Sequence, residues 1–257
     1  MIFSPGRLGF LFFGLLLIFY FGFNITSPDL RVSSKTKSQT LKATGLENIE
    51  KGALKSLTPS QKAELDQFNK LKTELKLDQE KVEILKKISG FWFNLNQYSL
   101  AGGYAKKVAE IEKTEEAWKI AGSSFLYGLD GSAELKLQQF CQQEAVFCFE
   151  QAISLNTAEP SYQLYLAMAY VKLPGAEPMK GIKMMLDLET KFPEYLDLQL
   201  QLAELGIQTG QFEKAKLRIE KIIIKEPKNS KANCLMLQIL ESLGQTKDLN
   251  KYQLLCK

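Results

Sequence analysis

Apolar residues return at helical spacing along most of this chain. After Thr58-Pro59-Ser60-Gln61, Leu65, Phe68, Leu71 and Leu75 recur every three or four positions, the stripe of an amphipathic helix. The tetrapeptide supplies the helix start: a threonine N-cap, a proline at the first helical position and a glutamine three residues after the cap, which together satisfy amides that a helix cannot bond internally. Leu85, Ile88 and Trp92, then Tyr98, Ala101, Ala105 and Val108, continue as a pair of helices. Beyond Tyr162 the pattern itself repeats. Pro193 and Pro227, Gly181 and Ala215, and Gly210 and Gly244 each stand 34 residues apart, a period that predicts stacked helix-turn-helix units.

At the other end, residues 8–23 (LGFLFFGLLLIFYFGF) contain no charge. Extended through Ile25 the run reaches the roughly 17 to 25 apolar residues of a spanning helix, and the small-residue cleavage site of a secretory leader does not follow it. Residues 1–25 are therefore expected to form a transmembrane anchor contacting the membrane through residues 8–25, with a cleaved leader as the competing reading. Arg7 precedes the run, while Arg31, Lys35, Lys37 and Lys42 follow it. Large following domains translocate largely regardless of charge, so the expectation is a single-pass inner-membrane protein whose C-terminal domain lies outside the cytoplasm, in the periplasm. Residues 26–57, polar and rich in serine, threonine and lysine, read as a flexible linker, and residues 58–81 as a lead-in helix.

The remaining chain, 82–257, divides into units near 82–114, 115–159, 162–195, 196–229 and 230–257, the last partial. Trp118, Ala121, Gly122 and Phe125 spell W-x-x-A-G-x-x-F, and Ala145, Phe149 and Ala152 follow after an insertion of about eleven residues against the 34-residue period. Tyr165, Met168, Ala169, Gly181 and Met185 mark the next unit; Leu202, Ala203, Phe212, Ala215 and Ile219 mark the one after. These motifs resemble the tetratricopeptide repeat. The resemblance implies an all-α fold, an antiparallel helix-hairpin solenoid following one N-terminal transmembrane helix. No such hairpin can bury its apolar face alone, so three or more must stack. Gly122, Ala169 and Ala203 on first helices, and Ala145, Gly181 and Ala215 on second helices, are placed where the two helices of a hairpin approach closest; Trp118 fills space beside them. The insertion, residues 127–140, carries a turn signal at Asp130-Gly131 and a helical pattern in Leu135, Leu137 and Phe140, so it is expected to lengthen the second helix toward its N-terminus.

Composition narrows the chemistry. The 257 residues are 24% charged with a formal net charge of +4, without the concentrated basic face of a nucleic-acid binder. There is no histidine, which removes the commonest general base, the usual nucleophilic triad and most zinc sites. Gly102 and Gly103 fall within a helical pattern and not in a phosphate-binding loop between strand and helix. No catalytic residue, metal or cofactor is expected; a carboxylate enzyme would need Asp130, Glu134 and Glu144 gathered in one pocket. Cys141 and Cys148 share one side of a helix about 10 Å apart at 1.5 Å per residue, too far to bridge. All four cysteines read as small buried hydrophobes, with a Cys234–Cys256 pairing left open.

The resemblance also implies that first helices line an inner, concave surface, placing there Lys119, Ser123, Leu126, Gln163, Leu166, Tyr170, Asp197, Leu200, Glu204, Lys231 and Gln238. An extended peptide or a helix suits such a groove. Ser123, Tyr170 and Glu204 stand where some family members carry the asparagines of a terminal-carboxylate clamp, so no clamp is expected. Leu126, Leu166, Tyr170 and Leu200 form an apolar strip that either lines the groove or is covered by neighbouring helices. The function expected is a membrane-tethered, non-enzymatic adaptor or scaffold for a protein or peptide partner; the alternative is a self-associating module of the cell envelope, a homo-oligomer.

Overall fold

A computed structural model describes residues 45–173, 177–246 and 248–256. The chain divides into two units, residues 1–48 and 49–257, and only the end of the first lies among the described residues. Every regular element described is helical: α1 (Leu46–Ala53), a 3-10 turn (Leu54–Ser56), α2 (Pro59–Glu74), α3 (Asp78–Asn94), α4 (Tyr98–Glu112), α5 (Glu115–Asp130), α6 (Leu135–Leu155), α7 (Pro160–Lys172), α8 (Pro178–Lys191), α9 (Leu196–Gln208), α10 (Phe212–Lys225), α11 (Ser230–Ser242) and α12 (Leu249–Leu255). From α2 onward each helix packs on the next, so α3/α4, α5/α6, α7/α8, α9/α10 and α11/α12 form successive antiparallel hairpins. The result is an all-α helical-hairpin solenoid.

The single-pass inner-membrane placement is corrected. Among the described residues no helix is long and apolar enough to cross a membrane, and the run 8–25 lies outside them. The longest described helix, α6, has 21 residues but is interrupted by Lys136, Glu144 and Glu150, the polar side of an amphipathic helix. The reading of 26–57 as a flexible linker is also corrected at its end, because α1 forms there. Leu46, Ile49 and Ala53 share one face of α1, but eight residues are too few for that stripe to stand out. Its order comes from docking: Ile49 packs against the apolar cluster of α4–α7, and Glu50 accepts a hydrogen bond from the Tyr104 hydroxyl at 2.7 Å.

Local chemistry explains the helix boundaries. Thr58 Oγ1 accepts from the Gln61 amide at 3.3 Å while Gln61 Oε1 accepts from the Thr58 amide at 2.9 Å, a reciprocal cap on α2. First helices α3, α9 and α11 each end in a left-handed residue, Asn96 (φ 56°), Gly210 (φ 73°) and Gly244 (φ 67°). The next amide in each case, of Gln97, Gln211 or Gln245, reaches back to the carbonyl of Trp92, Gly206 or Leu240, the bond that closes a helix C-terminus and reverses the chain. A second device repeats at hairpin entrances. The side-chain amides of Gln163, Gln199 and Asn233 donate to the carbonyls of Thr157, Pro193 and Pro227 at 3.0 to 3.2 Å, tying the start of α7, α9 and α11 to the turn before it.

From α4 onward, three apolar clusters among the described residues follow one another along the stack. One joins α4 to α7, one joins α7, α8 and α9 around Leu164, Met185 and Leu198, and one joins α9, α10 and α11 around Ala215, Ile219 and Met236. Leu166 of α7 belongs to the first while Leu164 belongs to the second, so a first helix is gripped on two faces by different neighbours. The insertion lengthens both helices of its hairpin, leaving only a short loop between Asp130 and Leu135.

Candidate interaction grooves

Helix α5 packs directly on α7, and α9 on α11, whereas α3 and α5 stand apart with α4 behind them. The space left is a groove of about 490 Å³, within the size range of small-ligand and peptide pockets. Gly90 and Phe93 of α3 face Ala117 and Ile120 of α5 across a floor of Ala105 and Val108 from α4. Two of these are large and solvent-accessible, Phe93 at 39% and Ile120 at 50% exposure. Gly90 widens the groove: a Cβ there would meet nothing within 4 Å. The rim is charged. Lys86 bridges Glu112 at 2.7 Å and Glu83 at 3.2 Å, and hydrogen bonding to Glu112 raises the Lys86 ammonium above its ordinary pKa. Glu116 pairs with Lys119 at 2.7 Å.

A smaller pocket of about 170 Å³ lies between α5 and α7, lined by Ser123, Leu126, Tyr127, Asp130, Tyr165 and Lys172 among others. An ion pair between Lys172 and Asp130 spans it. Tyr127 belongs to this pocket but also touches Phe93, ring centroids 5.8 Å apart, and Tyr98, at 5.7 Å. Phe93 and Tyr98 complete the trio at 5.1 Å in an edge-on arrangement, a geometry that favours aromatic pairs. An aromatic wall thus borders both pockets.

The residues expected on the inner surface divide between surface and interior. Ser123 and Leu126 line the smaller pocket, but Leu126, Leu166 and Leu200 are only 8%, 7% and 6% exposed. Of the two readings open for the apolar strip, burial favours the covered one: these leucines occupy positions where adjacent helices interlock, and burial there stabilises the stack. Tyr170 is half-buried under Lys180, whose ammonium lies 4.0 Å from the ring centroid and donates to its hydroxyl at 2.8 Å. Lys231 bridges Glu204 at 2.9 Å, tying α11 to α9. Gln163 is engaged in its turn, and Asp197 and Gln238 are exposed. Trp118, Gly122, Ala145, Ala169, Gly181, Ala203 and Ala215 are all buried. A Cβ on Gly122 would lie 2.8 Å from the Phe149 ring, and one on Gly181 would lie 2.4 Å from the Ala167 carbonyl oxygen.

Gly90, Phe93 and Ile120 were missed because a helical stripe draws the eye to its own phase. Phe93 follows the buried Trp92 and Ile120 precedes the buried Ala121, so each points away from the core stripe. An apolar residue out of phase was the available signal. Of the carboxylates that an enzyme would have to gather, Asp130 pairs with Lys172 and Glu144 with Lys106 at 2.6 Å, while Glu134 stands at the N-cap position of α6 without a side-chain capping bond. Among the described residues no three histidine, cysteine or carboxylate side chains are placed to hold a metal ion.

Fold and grooves define the class, an all-α repeat protein of stacked helical hairpins. No family model and no curated protein matches the chain. Among solved structures it is similar to the crystal structure of MamA protein, with 17% identity over 69% of this chain and 91% of that one and a TM-score of 0.45. It is also similar to YrrB, described as a TPR protein with an unusual peptide-binding site, with 14% identity over 74% of this chain and 90% of that one and a TM-score of 0.40.

Proposed function

We propose that this protein is a non-enzymatic interaction scaffold that holds a protein or peptide segment against its first helices, with the α3–α5 groove as the principal anchor site. The observation that carries the reading is the pair of exposed side chains, Phe93 and Ile120, facing each other over an apolar floor. Accessible apolar surface inside a concavity marks an interaction site far better than scattered surface leucines do. The aromatic wall of Phe93, Tyr98 and Tyr127 extends that surface toward the smaller pocket, and aromatic anchors of this kind dominate interface energetics.

A photoreactive amino acid placed at Ile120, with a control at Lys216 on α10, tests the assignment. A discrete adduct with another protein from Ile120 alone, abolished by Gly90→Trp, is the expected result. Equal adducts from both positions, or adducts indifferent to Gly90→Trp, would remove the groove from consideration. Self-association is a second reading, favoured by Met179 and Leu186 on α8 and Leu217 and Ile224 on α10, which are 45% to 79% exposed. Under that reading Leu217→Lys with Ile224→Lys converts an oligomer to a monomer in sedimentation velocity, and the groove variants do not.

A further inference from the structure

The pairing of Cys234 with Cys256 is present as a disulfide, Cα atoms 4.6 Å apart, joining α11 to the end of α12. We propose that this bond is a thiol–disulfide exchange site, and that opening it with a dithiol reductant releases α12 and uncovers the α11 end of the last apolar cluster.

Among the described contacts, α12 itself contributes little to holding its place. It has seven residues and none is buried, and isolated helices shorter than about 12 residues are marginal in water. Its N-cap, Asp248, is in the left-handed region and makes no side-chain capping bond. Leu249 and Tyr252 are its apolar footholds, partly buried against the cluster that contains Leu235, Ile239 and Leu240 of α11, while Leu254 points outward at 69% exposure. The packing of α12 is against α11, the helix to which the disulfide fastens it. In a stacked array each hairpin covers its neighbour; α12 covers the outer side of α11, and the bond supplies what its size does not.

The two cysteines of the bond are half-buried, within reach of a reagent, whereas Cys141 and Cys148 are wholly buried. The chemistry is therefore confined to one pair. A thiolate of the reductant attacks one sulfur, the S–S bond breaks, and the departing cysteine thiolate takes a proton. The second thiol of the reductant then resolves the mixed disulfide. Two electrons and two protons pass to the protein, leaving two cysteine thiols and an oxidised, disulfide-form reductant.

Hydrogen exchange of the full chain with and without dithiothreitol tests this, with iodoacetamide labelling to count opened thiols. The expected result is labelling of Cys234 and Cys256 only, with amides of α12 and the C-terminal turn of α11 exchanging at least tenfold faster, while α5 and α6 keep their protection. Cys256→Ser should reproduce the reduced pattern without reductant. Unchanged α12 exchange after both thiols are labelled would overturn the proposal, and so would loss of protection throughout α5 and α6, since the bond would then hold the whole stack and not α12 alone.

Discussion

At the scale of single residues, glycines with opposite surroundings give the sharpest test of the packing. Gly181 lies where α7 and α8 touch backbone to backbone, and a Cβ there would come within 2.4 Å of a carbonyl oxygen that cannot move without bending α7. Gly90 sits mid-helix with open space around it. Alanine gains about 1 kcal/mol over glycine in a helix interior, so Gly90→Ala should stabilise by about 0.5 to 1 kcal/mol. Gly181→Ala should lose that gain and more, for a net destabilisation of about 1 to 3 kcal/mol through overpacking. Urea unfolding of the two variants measures both; the same sign for both would contradict the described contacts. Ala215, 1% exposed and facing Gly206, whose added Cβ would lie 3.2 Å from its own, belongs to the same class: Ala215→Leu should cost about 1 to 3 kcal/mol, read as a lowered midpoint with an unchanged slope.

Helices meet through polar contacts as well as apolar ones, and the junction of α8, α9 and α10 depends on them most. Direct packing of α8 on α9 is sparse compared with that inside either hairpin. Across it Arg218 of α10 donates to both carboxylate oxygens of Glu189 on α8 and, at 2.7 Å, to Gln199 of α9. The hydrogen bond from Arg218 is the main reason that the Glu189 carboxyl is held below its ordinary pKa. A carboxyl depressed in the folded state contributes stability above its unfolded pKa, about 4.3, and that contribution is lost as pH falls through the folded value. Acidification from pH 6 to pH 3 should therefore lower the melting temperature of the wild type more than that of Glu189→Gln, the two curves converging in acid. Parallel curves would show that the pair contributes nothing to the junction. Burial pushes the Cys141 thiol up to about 12, so the opposite sign applies in alkali: the buried thiol favours folding below the unfolded cysteine value and that contribution fades as pH rises toward 12.

Across the whole molecule, much of the architecture was legible in the chain. The 34-residue spacing of Gly210 and Gly244 is visible as letters, and its cause is that both residues adopt a left-handed turn that glycine takes without strain. Small residues at Gly122, Ala169, Ala203 and Ala215 likewise announce close helix approach, because short-range sterics act through side-chain size, which a sequence states directly. Helix α1 was not legible, since eight residues with little apolar content fold only by docking on α4. Nor was the groove: whether α3 touches α5 depends on how far α4 sets them apart, a distance that no periodicity encodes. Leu126, Leu166 and Leu200 were read from phase as possible surface, but a first helix is covered on two sides by different neighbours, and only the assembled stack shows which side remains open. By itself, then, the sequence determined the helices of the repeats, their order, their hairpin pairing and the lack of histidine chemistry, because these follow from local spacing and residue type. Tertiary structure alone decided the open gap between α3 and α5, the burial of the leucine strip and the closing of Cys234 on Cys256, because each depends on distances between segments far apart along the chain.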